Sequence, residues 1–412
     1  MRILIITQYF WPENFRINEV SEELVKLGHK VYILTGYPNY PKGDIYLDFK
    51  KNKKKFHKYK GVEIIRVPIL PRKKNKFNLI LNYLSFSLNS IFIGYLKLRK
   101  KNFDIVFTFQ LSPVTVGITS AFFSTIKKCP HIFWVLDLWP DTLEALDILK
   151  KQWQLNFFKI LINWIYKECD LILAQSNMML EEIKKYPSVK NNAFYFPSWG
   201  DSNLFLNANK AAKEIEKKNI FTIIFAGNIG EAQDFPNLLK AVKRLSLKKI
   251  KTFRIILIGE GSKKEWIKNE IKELKIEDYF EFHKSYPLKR MPEFFLHADA
   301  LYVSLLNKKV FNITIPGKIQ FYLSSGKPII GMICGEAAEI IKKSRSGLVC
   351  DSGDDERLSE IINEIINYDK KYLIEMGLNG KNYAEKEFSK NLLINKLNKI
   401  FIKAINNEKI IE

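Results

Sequence analysis

Short apolar runs alternate with stretches of helical spacing along this chain, and the alternation starts afresh near residue 221. Residues 2–7 (RILIIT) read as a strand and Gln8–Asn14 as a turn, after which Ile17, Val20, Leu24 and Leu27 fall on one face of a helix closed by Gly28-His29. Val31–Thr35 is the next strand. Strand, helix and strand of these lengths form the right-handed unit from which parallel sheets are built. Further strands are expected at Ile64–Val67, Ile105–Phe109, Ile132–Val135 and Leu171–Ala174. The first half therefore reads as doubly wound α/β. A lysine-rich helix is expected around Lys210–Lys218, followed by strands at Phe221–Ala226, Arg254–Ile258, Phe280–His283 and Ala300–Ser304 and helices at Asn237–Leu245 and Lys263–Leu274.

A chain of 412 residues exceeds one typical core. The restart of the rhythm puts a domain boundary near residue 200, giving an N-terminal domain at 1–200, a second at 201–390, and a C-terminal helix at 391–412 expected to cross back to the first. Net charge is +22, and residues 1–200 are the more basic part, with 30 Lys and Arg against 16 Asp and Glu. Such a balance suits an anionic membrane surface or phosphorylated substrates, although the Lys-, Asn- and Ile-rich usage of the whole chain produces it without a partner. No nucleic-acid motif accompanies the charge. Cys129, Cys169, Cys334 and Cys350 are far apart and form no CxxC pair, which points to a reducing, cytoplasmic setting. The N-terminus has no long apolar run and reads as a first strand, not a signal peptide.

Basic runs at 50–60 and 72–76 precede twenty uncharged residues, Phe77–Leu96. That length meets the requirement for a membrane span, yet Asn78, Asn82, Ser85, Ser87, Asn89 and Ser90 spread polar groups along it. A helix packed on the sheet, or one lying in a membrane interface beside its basic flanks, fits better.

The stretch Thr314–Glu339 holds the strongest candidate site. A helix opening on Pro316-Gly317-Lys318 offers free N–H groups, the positive end of its dipole and an ammonium, which together suit a phosphate or diphosphate. The following strand ends at Gly335-Glu336, where glycine admits a second backbone wall. An ordinary αβ unit punctuated by Gly and Pro is the alternative. Two more strand ends run into Gly-rich turns, Gly227-Asn228-Ile229-Gly230 and Gly259-Glu260-Gly261-Ser262. In an open parallel sheet such turns share one edge, and with Lys318 they outline a nucleotide-sized site. GxGxxG and the Walker lysine motif are absent.

In the first half, Trp11–Glu19 concentrates Glu13, Asn14, Arg16 and Asn18 around the first strand-to-helix turn, more polar groups than capping needs. Asp137, Asp141 and Glu144 follow a buried strand, where carboxylates bind sugar hydroxyls or act as base; helix capping by Asp141 and loop hydrogen bonding by Asp137 is the alternative. The five histidines have no paired spacing and no GxSxG occurs, so neither a histidine-based metal site nor serine-hydrolase chemistry is indicated.

Read in order, QYFWPENFRINE at 8–19, TGYPNYPKG at 35–43, DLWPD at 137–141, FAGNIGEAQ at 225–233, IGEG at 258–261, TIPGKIQFYLSSGKPI at 314–329 and GEAAEI at 335–340 resemble the retaining family-4 glycosyltransferases of GT-B fold. The resemblance covers nearly the whole chain and is nearest to the bacterial branch of capsule, O-antigen and colanic-acid synthesis, including N-acetylfucosamine transferases. It implies two Rossmann-like, doubly wound domains facing across a cleft. It also implies metal-independent, cofactor-free transfer of a sugar, with retention, from a UDP-linked donor to a polyprenyl-diphosphate-linked glycan at the inner face of the cytoplasmic membrane. An N-acetylated amino or deoxyamino sugar would be the group moved. A sugar-nucleotide epimerase of the same fold and a non-catalytic sugar-nucleotide-binding partner are the alternatives.

By the same resemblance Lys318, Asp137 and Glu336 are catalytic. Gly227, Asn228, Glu260, Gly261, Thr314, Gly317, Lys318, Gly335, Glu336, Ala337 and Glu339 would hold the donor, and Glu13, Asn14, Arg16, Asn18, Tyr40, Asp137, Trp139 and Asp141 the acceptor. Two departures from the family stand out. Ile313 and Phe321 occupy positions where many relatives carry glutamates, so the ribose-binding carboxylate is either missing or supplied elsewhere, as by Glu336 or Glu339. Glu231, Gln233 and Asp234 occupy the turn where many relatives carry an Arg and a Lys, which leaves more of the diphosphate charge to Lys318.

Overall fold

The computed structural model describes residues 1–41, 43–72, 76–145, 148–149, 151–206 and 208–408. Residues 73–75 of the expected basic run at 72–76 lie outside the described residues. Contacts divide the chain into two units, one formed by Met1–Phe196 with Ile394–Glu412 and the other by Pro197–Leu393.

The first unit is built on strands β1 (Arg2–Ile6), β2 (Lys30–Gly36), β3 (Lys58–Tyr59), β4 (Val62–Val67), β5 (Ile105–Gln110), β6 (His131–Val135), β7 (Leu171–Ala174) and β8 (Ala193–Tyr195). They form one sheet in the order β3-β4-β2-β1-β5-β6-β7-β8, parallel except for the short pair β3 and β4. Residues on both faces of β5 and β6 are buried, as expected when helices cover the two faces of a parallel sheet. Leu4, Ile6, Leu34, Val106 and Phe123 form part of one core, each at most 0% exposed. Burying a side chain of this size contributes about 1.5–3 kcal/mol, and the sheet repeats it along every central strand.

The uncharged stretch is helical. Lys76–Asn89 continues through one wider turn, Ser90–Gly94, into Tyr95–Leu98. Residues Asn78–Leu98 are long and apolar enough to cross a membrane, with a mean hydropathy of 1.4, yet Asn82, Phe86, Ser90 and Leu98 are buried within the first unit. Near the C-terminus the Phe401 ring meets Phe107 at 5.2 Å, and Asn398 bonds His29 at 2.8 Å.

The second unit is built on β9 (Phe221–Ala226), β10 (Phe253–Ile258), β11 (Phe280–His283), β12 (Ala300–Ser304), β13 (Ile329–Met332) and β14 (Gly347–Cys350). All six are parallel, in the order β11-β10-β9-β12-β13-β14. Each unit is thus a Rossmann-like α/β domain. The strands β3, β8 and β14 do not stand out in the sequence because they are short or only partly buried.

The lysine-rich segment around Lys210–Lys218 is not helical, contrary to expectation. Its backbone bonds go sideways: Ala212 N donates to Glu293 O at 3.0 Å and the Ala212 carbonyl meets His297 Nε2 at 2.8 Å, while the Glu214 side chain pairs with Arg290 at 2.7 Å. Tertiary partners here outweigh a local propensity worth only tenths of a kcal/mol per residue.

Candidate active site

The chain steps from β9 outward through β10 to β11, then returns to place β12 on the other side of β9. At such a reversal the loops leaving two neighbouring strands separate and open a crevice at their carboxyl ends. The loop after β9 is locked to the loop after β10 through backbone hydrogen bonds. Gly227 N donates to Ile258 O and Ile229 N to Glu260 O, both at 2.9 Å, and Lys263 N donates to Ile229 O at 3.1 Å. A Cβ at Gly259 would lie 1.9 Å from the Gly227 carbonyl oxygen, and one at Gly261 would lie 2.0 Å from that of Ile229. These two glycines exist so that one backbone can lie on another.

Lys318 projects into this arrangement from the helix Gly317–Ser325, whose first residue is exposed and meets no atom within 4 Å of an added Cβ. The lysine reaches back to β9: its Cε lies 2.5 Å from where a Cβ on Gly227 would stand, and its Nζ sits 3.8 Å above the centroid of the Phe225 ring. Among the described residues no hydrogen bond or ion pair engages that ammonium. The ring face attracts the charge, but burial works against it more strongly and lowers the pKa to about 7. The N–H groups of Gly317 and Lys318 open the helix and have no helical carbonyl to bond. A lysine without a counter-ion among the described residues and two free donors thus stand at the helix start beside the β9 loop.

A second wall comes from the loop after β13. Gly335 adopts φ +72, and a Cβ on it would lie 2.0 Å from the Asn312 carbonyl oxygen, so this loop rests on the segment leading into the Lys318 helix. Glu336, buried, and Ala337, fully buried, open the helix Glu336–Lys343. Glu339 instead faces solvent and pairs with Lys342 at 3.2 Å. Of the two glutamates, Glu336 is the one at the strand edge. Asn228 is exposed, the Glu260 carboxylate pairs with Lys264 at 2.8 Å, and the Thr314 hydroxyl donates to the Val310 carbonyl at 3.1 Å.

The first domain repeats the reversal between β1 and β5. Here two candidate acceptor residues, Glu13 and Asn18, are engaged within the loops themselves. The Glu13 carboxylate accepts from the N–H groups of Tyr40 at 2.7 Å, Asn39 at 2.8 Å and Phe10 at 3.2 Å; burial pushes its pKa up to about 7. Asn18 accepts from Trp11 N at 3.1 Å and donates to Glu13 O at 2.7 Å. Arg66, also buried, donates to the carbonyls of Gly36, Phe56 and Trp11. Glu13 and Asn18 therefore tie loops together, because a buried turn has backbone groups that must find partners. Asn14 is exposed, Arg16 pairs with Glu19 at 3.0 Å, and the Tyr40 ring packs on Tyr9 and Phe15 at 5.6 and 5.2 Å. Asp137 follows β6, accepting from Thr142 Oγ1 at 2.5 Å and Trp139 Nε1 at 3.1 Å, and burial raises its pKa to about 6. Asp141 begins the short helix Asp141–Ala145.

Residues 15–194 match the family model described as Glycosyltransferase Family 4, and residues 207–383 match that described as Glycosyl transferases group 1. Both domains are glycosyltransferase domains. They mark the chain as a transferase. A Haemophilus influenzae protein described as an uncharacterized glycosyltransferase is 25% identical over 177 residues, a match spanning 43% of this chain and 47% of that relative, about half of each. Among solved structures, a glycosyltransferase from Rickettsia africae aligns with a TM-score of 0.70 at 17% identity over 99% of both chains. HepE of Anabaena, in complex with UDP and glucose, aligns at 0.67 and 12% identity over 97% of this chain and 99% of its own. WaaG, a glycosyltransferase involved in lipopolysaccharide biosynthesis, aligns at 0.63 and 12% over the same shares. At these identities the likeness establishes the shared GT-B fold.

At the two departures from the family pattern that the sequence resemblance implies, the glycosyltransferase's structure is self-sufficient. Phe321 lies in an aromatic cluster, with its ring 4.9 Å from Phe205 and 5.7 Å from Phe295, and Ile313 is buried as well. Neither position faces an unfilled need for charge. Of the acidic turn, Asp234 binds Asn237 at 2.8 Å, Gln233 accepts from Gly230 N at 3.0 Å, and Glu231 pairs with Lys263 at 3.1 Å. Lys263 and Lys264, which sequence reasoning missed, follow β10 and pair with Glu231 and Glu260 at the same edge; their place just after the Gly259–Ser262 turn was the available signal. Phe225 was also missed, and only the fold reveals it as the platform under Lys318. Among the described residues no group of three or more His, Cys, Asp or Glu stands in a metal-ligating arrangement.

Proposed function

We propose that this glycosyltransferase moves a sugar from a UDP-linked donor to a polyprenyl-diphosphate-linked glycan, with retention and without metal, in surface polysaccharide synthesis at the inner face of the cytoplasmic membrane. The sugar is an N-acetylated amino or deoxyamino sugar of the kind the N-acetylfucosamine branch transfers. One observation carries the donor assignment: Lys318, half-buried on the Phe225 ring beside Gly227 and at a helix start, has no anionic partner of its own among the described residues. Charge left uncompensated in a crevice belongs to a site that an anion completes. HepE, of the same fold, is described in complex with UDP and glucose, which favours a nucleoside diphosphate there.

As the bond between the sugar and the diphosphate breaks, negative charge grows on the leaving oxygens. The ammonium and the two helix N–H groups are aimed where that charge develops, so they act more strongly in the transition state than in the ground state. Glu336 stands on the opposite wall, beside the loop that would meet the donor sugar. Asp137, from the acceptor domain, is held by Trp139 and Thr142 and would orient the acceptor hydroxyl.

The test is turnover by Lys318→Ala with a UDP-sugar panel and a lipid-linked acceptor extract. Loss of a charged contact to a developing anion is expected to cost about 3 kcal/mol, which lowers turnover roughly a hundredfold. Wild-type turnover in that variant would refute the assignment. Conversion of free donor with no acceptor consumed would identify an epimerase instead.

A further inference from the structure

Two helices of the first domain present their apolar side chains outward. On the helix Lys76–Leu98 the inner face carries Asn82 and Ser90, both 0% exposed; Asn82 accepts from Gln8 at 2.6 Å, and the neighbouring buried Ser87 donates to Thr115 O at 3.0 Å. The outer face is a stripe at every fourth residue, Ile80, Leu84, Leu88, Phe92 and Leu96, each between 44% and 66% exposed. The helix Gln152–Lys167 adds Trp153, Phe157, Ile160 and Trp164, from 41% to 71% exposed, at the i, i+4, i+7, i+11 spacing of one face. Neither helix contains an Asp or Glu, while exposed Lys97, Lys159 and Lys167 border the stripes. Nine large apolar side chains on one face exceed what a water-facing surface ordinarily carries.

Between the two stripes opens a cavity of about 200 Å³. Ile80 and Leu84 from one helix and Trp153 and Phe157 from the other line it, with Tyr83 and Trp139 among the remaining walls. A lining of this kind offers almost nothing to a sugar or a nucleotide. It suits a hydrocarbon chain, and its setting among the exposed stripes lets such a chain arrive from a lipid phase.

Two walls of the cavity connect to polar chemistry. Trp139 donates its indole N–H to the Asp137 carboxylate, and its ring lies 6.0 Å from that of Tyr83. Arg72 packs over the Tyr40 ring at 5.5 Å and is close enough to Tyr9 and Tyr83 to act on both hydroxyls electrostatically. Among the described residues Arg72 has no carboxylate partner. A planar cation is the side chain suited to a diphosphate, and this one adjoins a wall of the apolar cavity.

We propose that this cavity holds the isoprenoid chain of the lipid-linked acceptor, with Arg72 on its diphosphate and the glycan directed toward Asp137. The inference rests on the lipid-linked acceptor reading above and names the surface that recognises it. Trp139 serves both ends of the site, closing the cavity with its ring and holding Asp137 with its N–H.

Binding of geranylgeranyl diphosphate to the full chain, below its micelle concentration and followed by the fluorescence of the lining tryptophans, tests this without knowledge of the glycan. Geranylgeranyl diphosphate is expected to bind at least about tenfold more tightly than isopentenyl diphosphate, because each buried methylene adds to affinity. Phe157→Glu is expected to abolish that preference while leaving UDP binding unchanged, which also reports that the variant is folded. Arg72→Ala should weaken geranylgeranyl diphosphate and leave geranylgeraniol unaffected. Equal affinity for the two chain lengths, wild-type binding by Phe157→Glu, or equally tight binding of lysophospholipid would each overturn the proposal. Failure of wild-type protein to bind UDP while it retains geranylgeranyl diphosphate would instead remove the donor reading and leave this site standing.

Discussion

Binding of UDP at pH 8 is expected to draw a proton from solution onto Lys318. In the free protein its ammonium lies 3.8 Å above the Phe225 ring with no carboxylate to hold the charge, and burial brings its pKa to about 7. At pH 8 such a group is roughly nine-tenths neutral. A diphosphate at the helix start reverses the balance, since one unit charge at about 4 Å and an effective dielectric constant of about 20 is worth about 4 kcal/mol, or roughly 3 pKa units. The lysine then returns to its ordinary range, and each binding event takes up about 0.9 proton. By the same linkage the Kd for UDP rises roughly twentyfold between pH 7.5 and pH 9, where the terminal phosphate is already ionised. Titration calorimetry in buffers of different ionisation enthalpy at pH 8 measures the uptake directly. Lys318→Met should bind weakly with no uptake, and Lys318→Arg should bind without uptake because its charge is permanent. The sign carries over to stability. A lysine whose pKa is depressed by folding favours the native state when neutral, so the free protein gains stability as pH rises from about 7 toward the unfolded value near 10.4 and loses it as pH falls through 7. Uptake below about 0.2 proton at pH 8, with a flat Kd, would refute the reasoning.

Asp137 supplies a second pH signature. Its pKa of about 6 lies above that of an unfolded aspartate, so ionising it costs the fold as pH rises through 6, and kcat/KM is expected to climb over the same interval if the carboxylate form orients the acceptor. Asp137→Asn should lose transfer and the pH dependence together yet keep its melting midpoint at pH 7.5 within a few degrees, because the amide removes a buried charge; an unfolded variant would point to a purely structural carboxylate. The glycines separate stability from binding. Gly261→Ala drives a methyl to 2.0 Å from the Ile229 carbonyl oxygen and is expected to lower stability by roughly 2 kcal/mol or more in urea titration and to disrupt UDP binding. Gly317→Ala meets nothing within 4 Å and should leave stability unchanged or raise it by up to about 1 kcal/mol, while UDP affinity falls because the methyl stands where the diphosphate approaches the helix start. Unaltered UDP affinity in Gly317→Ala would move the diphosphate elsewhere.

The alternation of apolar runs with helical periodicity was enough to read both parallel sheets, since strands buried on both faces, such as Phe221–Ala226 and Leu171–Ala174, leave a mostly apolar signature in any context. It was also enough to bring Gly227, Gly259 and Gly335 to strand ends, because a glycine after a strand marks a place where backbone approaches backbone. Side-chain role was another matter. Glu13 and Asp137 are both buried carboxylates beside a strand end, yet three backbone N–H groups occupy one, and an indole and a hydroxyl hold the other. Only the folded loops determine which hydrogen bonds a carboxylate has left. The segment Lys210–Lys218 had helical composition and lost the helix to sideways partners at Glu293 and His297. The helix Lys76–Leu98 had apolar composition, and the sheet decided that Asn82 and Ser90 turn inward while Leu84, Leu88 and Phe92 face out. Lys318 joins the two levels. The sequence places a cation at a helix start, but its consequence depends on Phe225 beneath it and on the absence of any carboxylate near it among the described residues, because the cost of a buried charge is set by surroundings that come from elsewhere in the chain.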